Sequence, residues 1–282
     1  MKPRLIHLLK TCCVITIIIA ISGCCMCWGW RGQEHYERTE SLSAPMGGLE
    51  KISVDTSFGE IKISGSETAD CDVTARITGQ ASTVEEAKQL AEQTKIKIET
   101  DGKTLVIKAE KPYVKHDHSI GIAYEITVPI KTSINCKTSY GQVELKNIEG
   151  SIVAHTSFGQ IKAENITGKI QVDTSYGQVD CEKITTGDFS AKTSFGEVKA
   201  GFTDSCPADL KAKIETSFGE IVADIPSNFA GNVAVETSFG NVKTELPILV
   251  KGDVGKTRIT GTIGQGTGKL DLKTSFGEVT IK

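Results

Sequence analysis

Hydrophobic and polar residues alternate in short segments that recur along most of the chain. Around Thr174, the residues Ile170, Val172 and Thr174 share one parity, with polar residues between them. After Gly177 the phase changes, and Val179 begins the next apolar set. Period-two alternation is typical of half-buried strands, and glycine allows a positive φ or a bulge. The pattern therefore predicts repeated units of strand, glycine corner, strand and turn.

One six-residue motif marks each corner: Thr-Ser-Phe/Tyr-Gly, then an acid or amide, then Ile or Val. Copies open at Thr56 and, from Thr138 onwards, at intervals of 18, 18, 19, 23, 21 and 37 residues. A period of roughly 18–20 residues is typical of one coil of a β-solenoid and too short for helical hairpins. We expect a degenerate copy, beginning at Lys256, to fill the long last interval.

Stacked coils would form parallel sheets, so the sequence predicts an all-β fold, a right-handed parallel β-helix (β-solenoid). By the same parity we expect the motif aromatics to form an internal ladder, beside Thr residues whose hydroxyls bond within it. The aromatics are Phe58, Tyr140, Phe158, Tyr176, Phe195, Phe218, Phe239 and Phe276. The corner glycines are Gly59, Gly141, Gly159, Gly177, Gly196, Gly219, Gly240 and Gly277.

Two segments follow from the repeat spacing. Residues 138–282 are predicted to be the solenoid, and residues 49–137 an N-terminal β cap containing one helix over 82–94. Ser82 and Glu85 fit a capping box at the start of that helix. The given sequence stops just after the last motif, which predicts an uncovered strand edge and end-to-end self-association.

The first residues resemble a bacterial export signal. Residues 1–23 have basic residues followed by an uncharged Ile-rich stretch, and Ile-Ser-Gly then precedes Cys24, as in a lipobox. We predict a lipoprotein signal peptide, lipidation at Cys24 and a tether over 24–48. The alternative is an uncleaved membrane helix, because residues 11–30 carry no charge. Either anchor predicts an exported protein of the bacterial cell envelope, periplasmic or surface-exposed.

The eight motif copies, behind a β segment with one helix and a Val-Pro strand, resemble the bacterial DUF4097 family of candidate adhesins. The resemblance runs from about Leu49 to Lys282. It implies a right-handed, single-stranded β-helix and adhesion at a surface. The family has no catalytic motif that could be carried over to this chain.

Composition and charge narrow the chemistry. With 32 basic and 35 acidic residues the formal net charge is −3, so no nucleic-acid partner is expected. Four cysteines of the predicted cap and solenoid lack C-x-x-C spacing, so neither a zinc site nor a redox pair is indicated. They are Cys71, Cys136, Cys181 and Cys206.

No signature of an active site stands out. Gly-x-Ser-x-Gly, His-Glu-x-x-His and P-loop sequences are absent, so the sequence predicts no enzyme, no catalytic residue, no cofactor and no metal site. The His-Asp-His triplet at 116–118 is expected to be a loop, because no further ligand is identifiable. The repeated acid or amide after each corner glycine is interpreted as an outward-facing structural column.

These observations predict an envelope-displayed β-solenoid lipoprotein that acts as a non-catalytic, adhesin-like binding or structural module. Expected partners are the membrane, through the N-terminal lipid or helix, and a surface protein, a polysaccharide or another copy of the chain. An alternative is a component that senses envelope stress or acts as a scaffold. A polysaccharide-active β-helix enzyme is a further alternative, since some parallel β-helices cleave polysaccharides.

Overall fold

Two long β-sheets make up most of the structure, a computed structural model that describes residues 33–250 and 255–282. One, sheet A, has 11 strands, and the other, sheet B, has 12. Most neighbouring strands run parallel, as stacked coils require. The prediction of an all-β solenoid is confirmed, while its winding hand stays a prediction.

Eight coils each contribute one strand to sheet B and the next strand to sheet A, joined by the six-residue motif. We number the coils in their order along the solenoid. They are coil 1, β2 (Lys51–Asp55) and β3 (Ile61–Ser66); coil 2, β8 (Ser133–Lys137) and β9 (Val143–Glu149); coil 3, β10 (Ile152–Phe158) and β11 (Ile161–Thr167); coil 4, β12 (Ile170–Tyr176) and β13 (Val179–Thr185); coil 5, β14 (Asp188–Lys192) and β15 (Val198–Phe202); coil 6, β16 (Lys211–Glu215) and β17 (Ile221–Asp224); coil 7, β22 (Gly268–Phe276) and β23 (Val279–Ile281); coil 8, β18 (Gly231–Phe239) and β19 (Val242–Thr244).

Additional strands extend both sheets beyond coil 1, in the region predicted to be a cap. In sheet A, one parallel strand and then two antiparallel strands follow coil 1; in sheet B, one strand of each kind follows it. These elements are β1 (Glu34–Pro45), β4 (Asp70–Ala81), α1 (Val84–Gln93), β5 (Lys95–Asp101), β6 (Thr104–Glu110) and β7 (Ser119–Pro129).

The single helix of the described residues, α1, packs on β4 and β1. Its N-cap is Thr83, whose hydroxyl accepts from the backbone N–H of Glu86 at 3.2 Å, so the predicted capping box at Ser82 and Glu85 is wrong by one residue. The apolar side of the helix is buried through Ala87 and Leu90, which fixes it against the sheet.

Part of the predicted tether is a strand. Within residues 24–48, Glu34–Pro45 forms β1 and pairs antiparallel with β4 along its whole length. Two inward residues of β1 are polar: Arg38 donates from Nε to the Ala91 carbonyl at 2.8 Å and pairs with Glu40 at 2.9 Å. Its guanidinium thus binds the C-terminal end of α1, a role that a search for apolar alternation does not detect.

The order of the last coils differs from their order in the chain. Coil 7, formed by residues 268–281, lies between coil 6 and coil 8, which both precede it in sequence. The predicted uncovered edge at the last motif is therefore wrong. So is the degenerate copy at Lys256, because β21 (Arg258–Ile263) pairs antiparallel with β18 and with β20 (Leu249–Val250).

Candidate functional site

Each motif threonine points into the solenoid, and all of them except Thr56 donate to the neighbouring coil. Thr174, for example, donates from Oγ1 to the carbonyl of Gly159 at 3.0 Å. This confirms the prediction that the hydroxyls bond within the stack, where an unpaired buried hydroxyl would be costly. The donor and acceptor pairs are Thr138–Gly59, Thr156–Gly141, Thr174–Gly159, Thr193–Gly177, Thr216–Gly196, Thr274–Gly219 and Thr237–Gly277.

Glycine follows the aromatic because the corners of adjacent coils nearly touch. A Cβ on Gly177 would lie 1.9 Å from the carbonyl oxygen of Gly159, and other corner glycines show the same overlap. Positive φ contributes at some corners, such as Gly59 at 138°. Close approach is thus the shared requirement, and the predicted positive φ or bulge is secondary.

The motif aromatics form a continuous ladder on the outside of the solenoid, so the predicted internal ladder is wrong. Their exposed fractions run from 43% for Phe195 to 67% for Phe239. Neighbouring ring centroids are 4.7–4.9 Å apart and the ring planes differ by at most 8°. In spatial order the aromatic ladder is Phe58, Tyr140, Phe158, Tyr176, Phe195, Phe218, Phe276 and Phe239.

The rings lie outside because the chain bends between two inward positions. In coil 1 the buried residues on either side of the corner are Thr56 and Ile61, and the four residues between them form the bend. Strand parity, which would place Phe58 inside, does not hold across such a bend. The convex side of the corner exposes the ring, and the 4.9 Å coil repeat stacks it on the next one.

A column of acids and amides runs beside the aromatic ladder, at or near the surface as predicted. Its carboxylates pair with lysines, for example Glu60 with Lys62 at 3.0 Å and Glu278 with Lys243 at 2.8 Å. The hydrogen bond from Lys243 holds the pKa of Glu278 below its usual value. In spatial order the column is Glu60, Gln142, Gln160, Gln178, Glu197, Glu220, Glu278 and Asn241.

Charges alternate along a second outer column, formed by the residue before each motif threonine. Inserting Lys273 between Glu215 and Glu236 keeps unlike charges adjacent, and Lys273 lies 3.7 Å from Glu236. Exposed pairs of this kind contribute little stability each. The spatial order is Asp55, Lys137, His155, Asp173, Lys192, Glu215, Lys273 and Glu236.

The opposite corner of coils 2–4 contains a feature that sequence reasoning missed. Asn147, Asn165 and Lys183 have φ of 55–56°, the left-handed conformation that asparagine tolerates well. Asn165 donates from its side-chain amide to the side-chain oxygen of Asn147 at 2.8 Å, so outward side chains also bond from coil to coil at this corner. The signal was present in the sequence, since both asparagines directly precede an inward isoleucine and are 18 residues apart.

The four described cysteines are free and buried. Burial raises the pKa of Cys136 and of Cys181 to about 12, and burial with the nearby Asp72 charge raises that of Cys71 to about 12. Such thiols are poor nucleophiles at neutral pH and serve as small apolar residues of the core. Cys136 and Cys181 occupy inward positions of their strands.

Residues 116–118 lie in the loop before β7. His118 packs with a 5% exposed side chain, its Nε2 3.6 Å from Asp117 and 3.9 Å from Glu86. Within residues 33–250 and 255–282, no three His, Cys, Asp or Glu side chains are grouped so as to hold a metal ion.

The predicted signal peptide, Cys24 and the first part of the tether lie outside the described residues. In the part of the chain that the structure describes, no helix combines the length and apolar character needed to cross a membrane.

Several solved structures are similar to this chain. A candidate cell adhesion protein from Clostridium sporogenes ATCC 15579 is 15% identical, with 89% of this chain and 99% of that chain covered and a TM-score of 0.39. A candidate adhesin from Bacteroides fragilis NCTC 9343 is 16% identical, with the same coverages and a TM-score of 0.44. A candidate adhesin from Parabacteroides distasonis ATCC 8503 is 11% identical, with 86% and 97% covered and a TM-score of 0.41. No curated protein matches significantly.

The family comparison covers the solenoid. The family model described as Toastrack DUF4097 matches residues 125–282, which is more than half of the chain and includes coils 2 to 8. This confirms the family resemblance carried by the repeated motif. With its parallel coils, glycine corners and family match, the chain belongs to the Toastrack DUF4097 family.

Proposed function

We infer that this protein is a non-catalytic binding module displayed at the bacterial cell envelope, with the aromatic ladder as its contact surface. The observation that carries this proposal is the row of eight rings left 43–67% exposed. Contiguous exposed apolar surface is unusual on a soluble domain and marks interaction sites. Aromatic side chains are also enriched in binding surfaces.

The shape of the aromatic ladder favours a linear partner. Its rings repeat every 4.7–4.9 Å in one row, with hydrogen-bonding acids and amides alongside. A polymer that repeats its own contacts can use many rungs at once, and weak contacts then add up through multivalency. A cell-surface polysaccharide is the first class to test, because sugars offer C–H groups to the rings and hydroxyls to the polar column.

A binding test must separate recognition from folding, because the rings also stack on one another. We suggest replacing three central rings together, Phe158→Leu, Tyr176→Leu and Phe195→Leu, in the full chain. Leucine keeps apolar bulk on the corner but removes the aromatic surface. Lys169→Ala with Lys211→Ala is the matched control, because both side chains are exposed at the end of their coil that lies opposite the motif, away from the aromatic ladder and its polar column.

Glycan arrays and binding to intact bacterial cells give the readout. The proposal expects the full chain and the lysine control to bind, and the leucine variant to lose most of its binding at a temperature where circular dichroism shows that it is still folded. Absence of binding by the parent, or unchanged binding by the leucine variant, would contradict the proposal.

The predicted lipidation at Cys24 distinguishes a lipid anchor from an uncleaved membrane helix. Metabolic labelling with a fatty-acid probe should label the parent protein and Cys25→Ala, and should fail for Cys24→Ala. The neighbouring cysteine is a control for general loss of thiols. Equal labelling of all three proteins, or of none, would contradict lipidation at Cys24.

A further inference from the structure

The aromatic ladder exposes more apolar surface than a soluble protein usually leaves uncovered. Its eight rings are 43–67% exposed, which is roughly 100 Å² per ring if a free aromatic side chain has about 200 Å². The whole ladder then exposes roughly 800 Å², whereas the largest apolar patch of a typical monomer is about 300–600 Å². One partner in a standard protein interface buries about 800 Å². The aromatic ladder thus has the area of one side of a protein–protein contact.

The repeat of the aromatic ladder limits which protein surface can cover it. Neighbouring ring centroids are 4.7–4.9 Å apart, so a partner whose contacts repeat at another interval would lose register along the rungs. Rows of side chains that share the β-sheet repeat can pack together along their full length, as they do between the sheets of steric zippers. A second copy of this chain presents such a row, with the same repeat at every rung.

The column of acids and amides beside the rings is complementary to itself when it is reversed. It reads Glu, Gln, Gln, Gln from coil 1 to coil 4 and Glu, Glu, Glu, Asn from coil 5 to coil 8. In an antiparallel second copy, coil 1 faces coil 8 and coil 4 faces coil 5. Every carboxylate then faces an amide, which can donate a hydrogen bond to it. The four facing pairs are Glu60–Asn241, Gln142–Glu278, Gln160–Glu220 and Gln178–Glu197.

A single two-fold axis produces this arrangement. It lies in the contact, crosses both ladders at right angles and passes between coils 4 and 5. The columns of acids and amides then face each other on one flank of the rings, and the motif serines face each other on the other flank. The column of alternating charges begins three residues before each ring, on the outer face of sheet B, where the surfaces of the two copies diverge from the convex corners. Two-fold contacts of this kind are the commonest in homo-oligomers.

We propose that two copies of this chain associate side by side through their aromatic ladders, in antiparallel orientation. The cap lies beyond coil 1, so the two caps are at opposite ends of the pair. Copies displayed on two opposing surfaces would meet in this orientation. The inference rests on the proposed role of the aromatic ladder as a contact surface, and it names a second copy of the chain as an occupant of that surface.

Sedimentation equilibrium of the full chain in detergent, with no glycan present, tests the proposal. We expect a reversible equilibrium between monomer and dimer. Gln160→Glu should weaken the dimer about five- to tenfold at low salt, because two symmetric contacts would each bring a carboxylate to Glu220 of the second copy. Within its own chain, residue 160 lies between Gln142 and Gln178, so the new charge has no acid next to it in the column.

A compensating substitution and a matched control separate this contact from general effects of charge. Adding Glu220→Gln to Gln160→Glu again makes each carboxylate face an amide, and should restore the association of the parent. Asn232→Asp makes the same chemical change at an exposed position on the outer face of sheet B, and should leave the dimer unchanged.

Disulfide cross-linking reads the register of the two copies without relying on charge. A mixture of Gln160→Cys and Glu220→Cys proteins should form a cross-linked dimer under mild oxidation, because these positions face each other across the axis. Either variant alone should give only the background of the parent. Its two substituted positions would lie three rungs apart, about 15 Å, which is beyond the reach of a disulfide.

Two outcomes would overturn the inference: a full chain that stays monomeric at every concentration, and a dimer that Gln160→Glu does not weaken. Glycan binding is a separate readout. A monomeric protein that binds glycans through the aromatic ladder would overturn the contact between copies alone. A dimer that shows the expected response to Gln160→Glu, but binds no glycan, would support the contact between copies and contradict only the glycan proposal.

Discussion

Coils 2–5 and coils 6–8 use the same corner but are assembled differently. In coils 3 and 4 the corner hydrogen bond joins Thr174 to Gly159, 15 residues away. Across coils 6 and 7 the equivalent bond spans 55 residues, and across coils 7 and 8 it spans 40. The motif therefore specifies how two neighbouring coils fit, but it does not specify which coils become neighbours.

The connection from coil 8 to coil 7 permits the inserted order. Two residues, 150–151, join β9 to β10, so the next coil can stack only on the last one. Residues 245–267 join coil 8 to coil 7 and are long enough for the chain to return to the position between coils 6 and 8, although length alone does not dictate the order, because residues 203–210 join coils 5 and 6, which stack in sequence. The entropy cost of closing a loop rises only slowly with loop length, so the inserted order costs little additional free energy.

The largest effect should come from a charge in the core of each region. Val172 and Leu272 lie in the same inward column and are both 0% exposed. An unpaired carboxylate there should cost about 4 kcal/mol or more of unfolding free energy. We expect Val172→Asp to unfold the serial coils, and Leu272→Asp to release coils 7 and 8 while coils 1–5 stay folded.

Hydrogen exchange followed by mass spectrometry of peptides measures this difference. Loss of protection confined to residues 225–282 in Leu272→Asp would show that the inserted region is a separable unit. If both variants lose protection throughout the solenoid, the two regions fold as one unit and the contrast drawn above is wrong.

The same glycine-to-alanine substitution at one corner of coils 2–5 and at one corner of coils 6–8 should show where the two regions are alike. A Cβ on Gly177 would lie 1.9 Å from the Gly159 carbonyl oxygen, and one on Gly277 would lie 2.0 Å from that of Gly219. Gly177→Ala and Gly277→Ala should each lower the unfolding free energy by about 2–4 kcal/mol, because backbone must move. Denaturant titration measures both, and a much smaller loss at Gly277 would indicate a looser fit around coil 7.

These corners show what the sequence could predict. The period-two alternation and the spacing of Thr and Gly were sufficient for the coil, its buried columns and its threonine hydrogen bonds. The exposure of Phe58 and the other motif aromatics could not be predicted in the same way, because the alternation of the strand was extended across a bend where it no longer applies. The candidate site was therefore found by the motif but placed on the wrong side of the sheet.

The position of coil 7 between coils 6 and 8 could not be predicted from the sequence pattern either. Its motif is the same as that of other coils, and what favours its place is packing between distant residues. A Cβ on Gly231 would lie 2.1 Å from the carbonyl oxygen of Gly268, so coils 7 and 8 meet closely through two glycines. Similarly, β1 was taken for a tether because its sequence shows no sustained alternation, which the polar inward residues Arg38 and Glu40 interrupt.

Ring removal should have a smaller effect that depends on position in the aromatic ladder. Phe195 stacks on two rings, whereas Phe239 stacks on one and is 67% exposed. Phe195→Ser should cost about 1–3 kcal/mol and Phe239→Ser about half as much, counting about 0.5–1.5 kcal/mol per stacked pair. Thermal unfolding followed by circular dichroism compares them. Equal losses would mean that burial, rather than stacking, sets the cost.

The smallest effect should come from the ion pairs that join neighbouring coils. Lys183 pairs with Glu164 in the serial region at 3.0 Å, and Lys243 with Glu278 in the inserted region at 2.8 Å. In both, the lysine hydrogen bond lowers the carboxylate pKa. A lowered pKa means that the stabilisation is present above the unfolded pKa and is lost as the pH falls through the folded value.

Lys183→Met and Lys243→Met should each lower the melting temperature slightly at pH 7. Both differences from the parent should shrink as the pH falls below the ordinary glutamate pKa of about 4.3, and should vanish once the folded carboxylates are protonated. They should also shrink in high salt, because these pairs are exposed. A difference that persists at low pH would show that the lysine stems act through packing.

The position of coil 7 has a consequence for the time at which the protein becomes complete. Ribosomes release residues 231–244 before residues 268–281, so coil 8 has no finished neighbour when it first emerges. Coils 2–5 can assemble in step with synthesis, at about 5–20 residues per second, but the inserted coil cannot. Until coil 7 arrives, the facing strand edges of coil 6 and coil 8 stay open to any extended peptide. The arrival of coil 7 covers the edges of both coils at once.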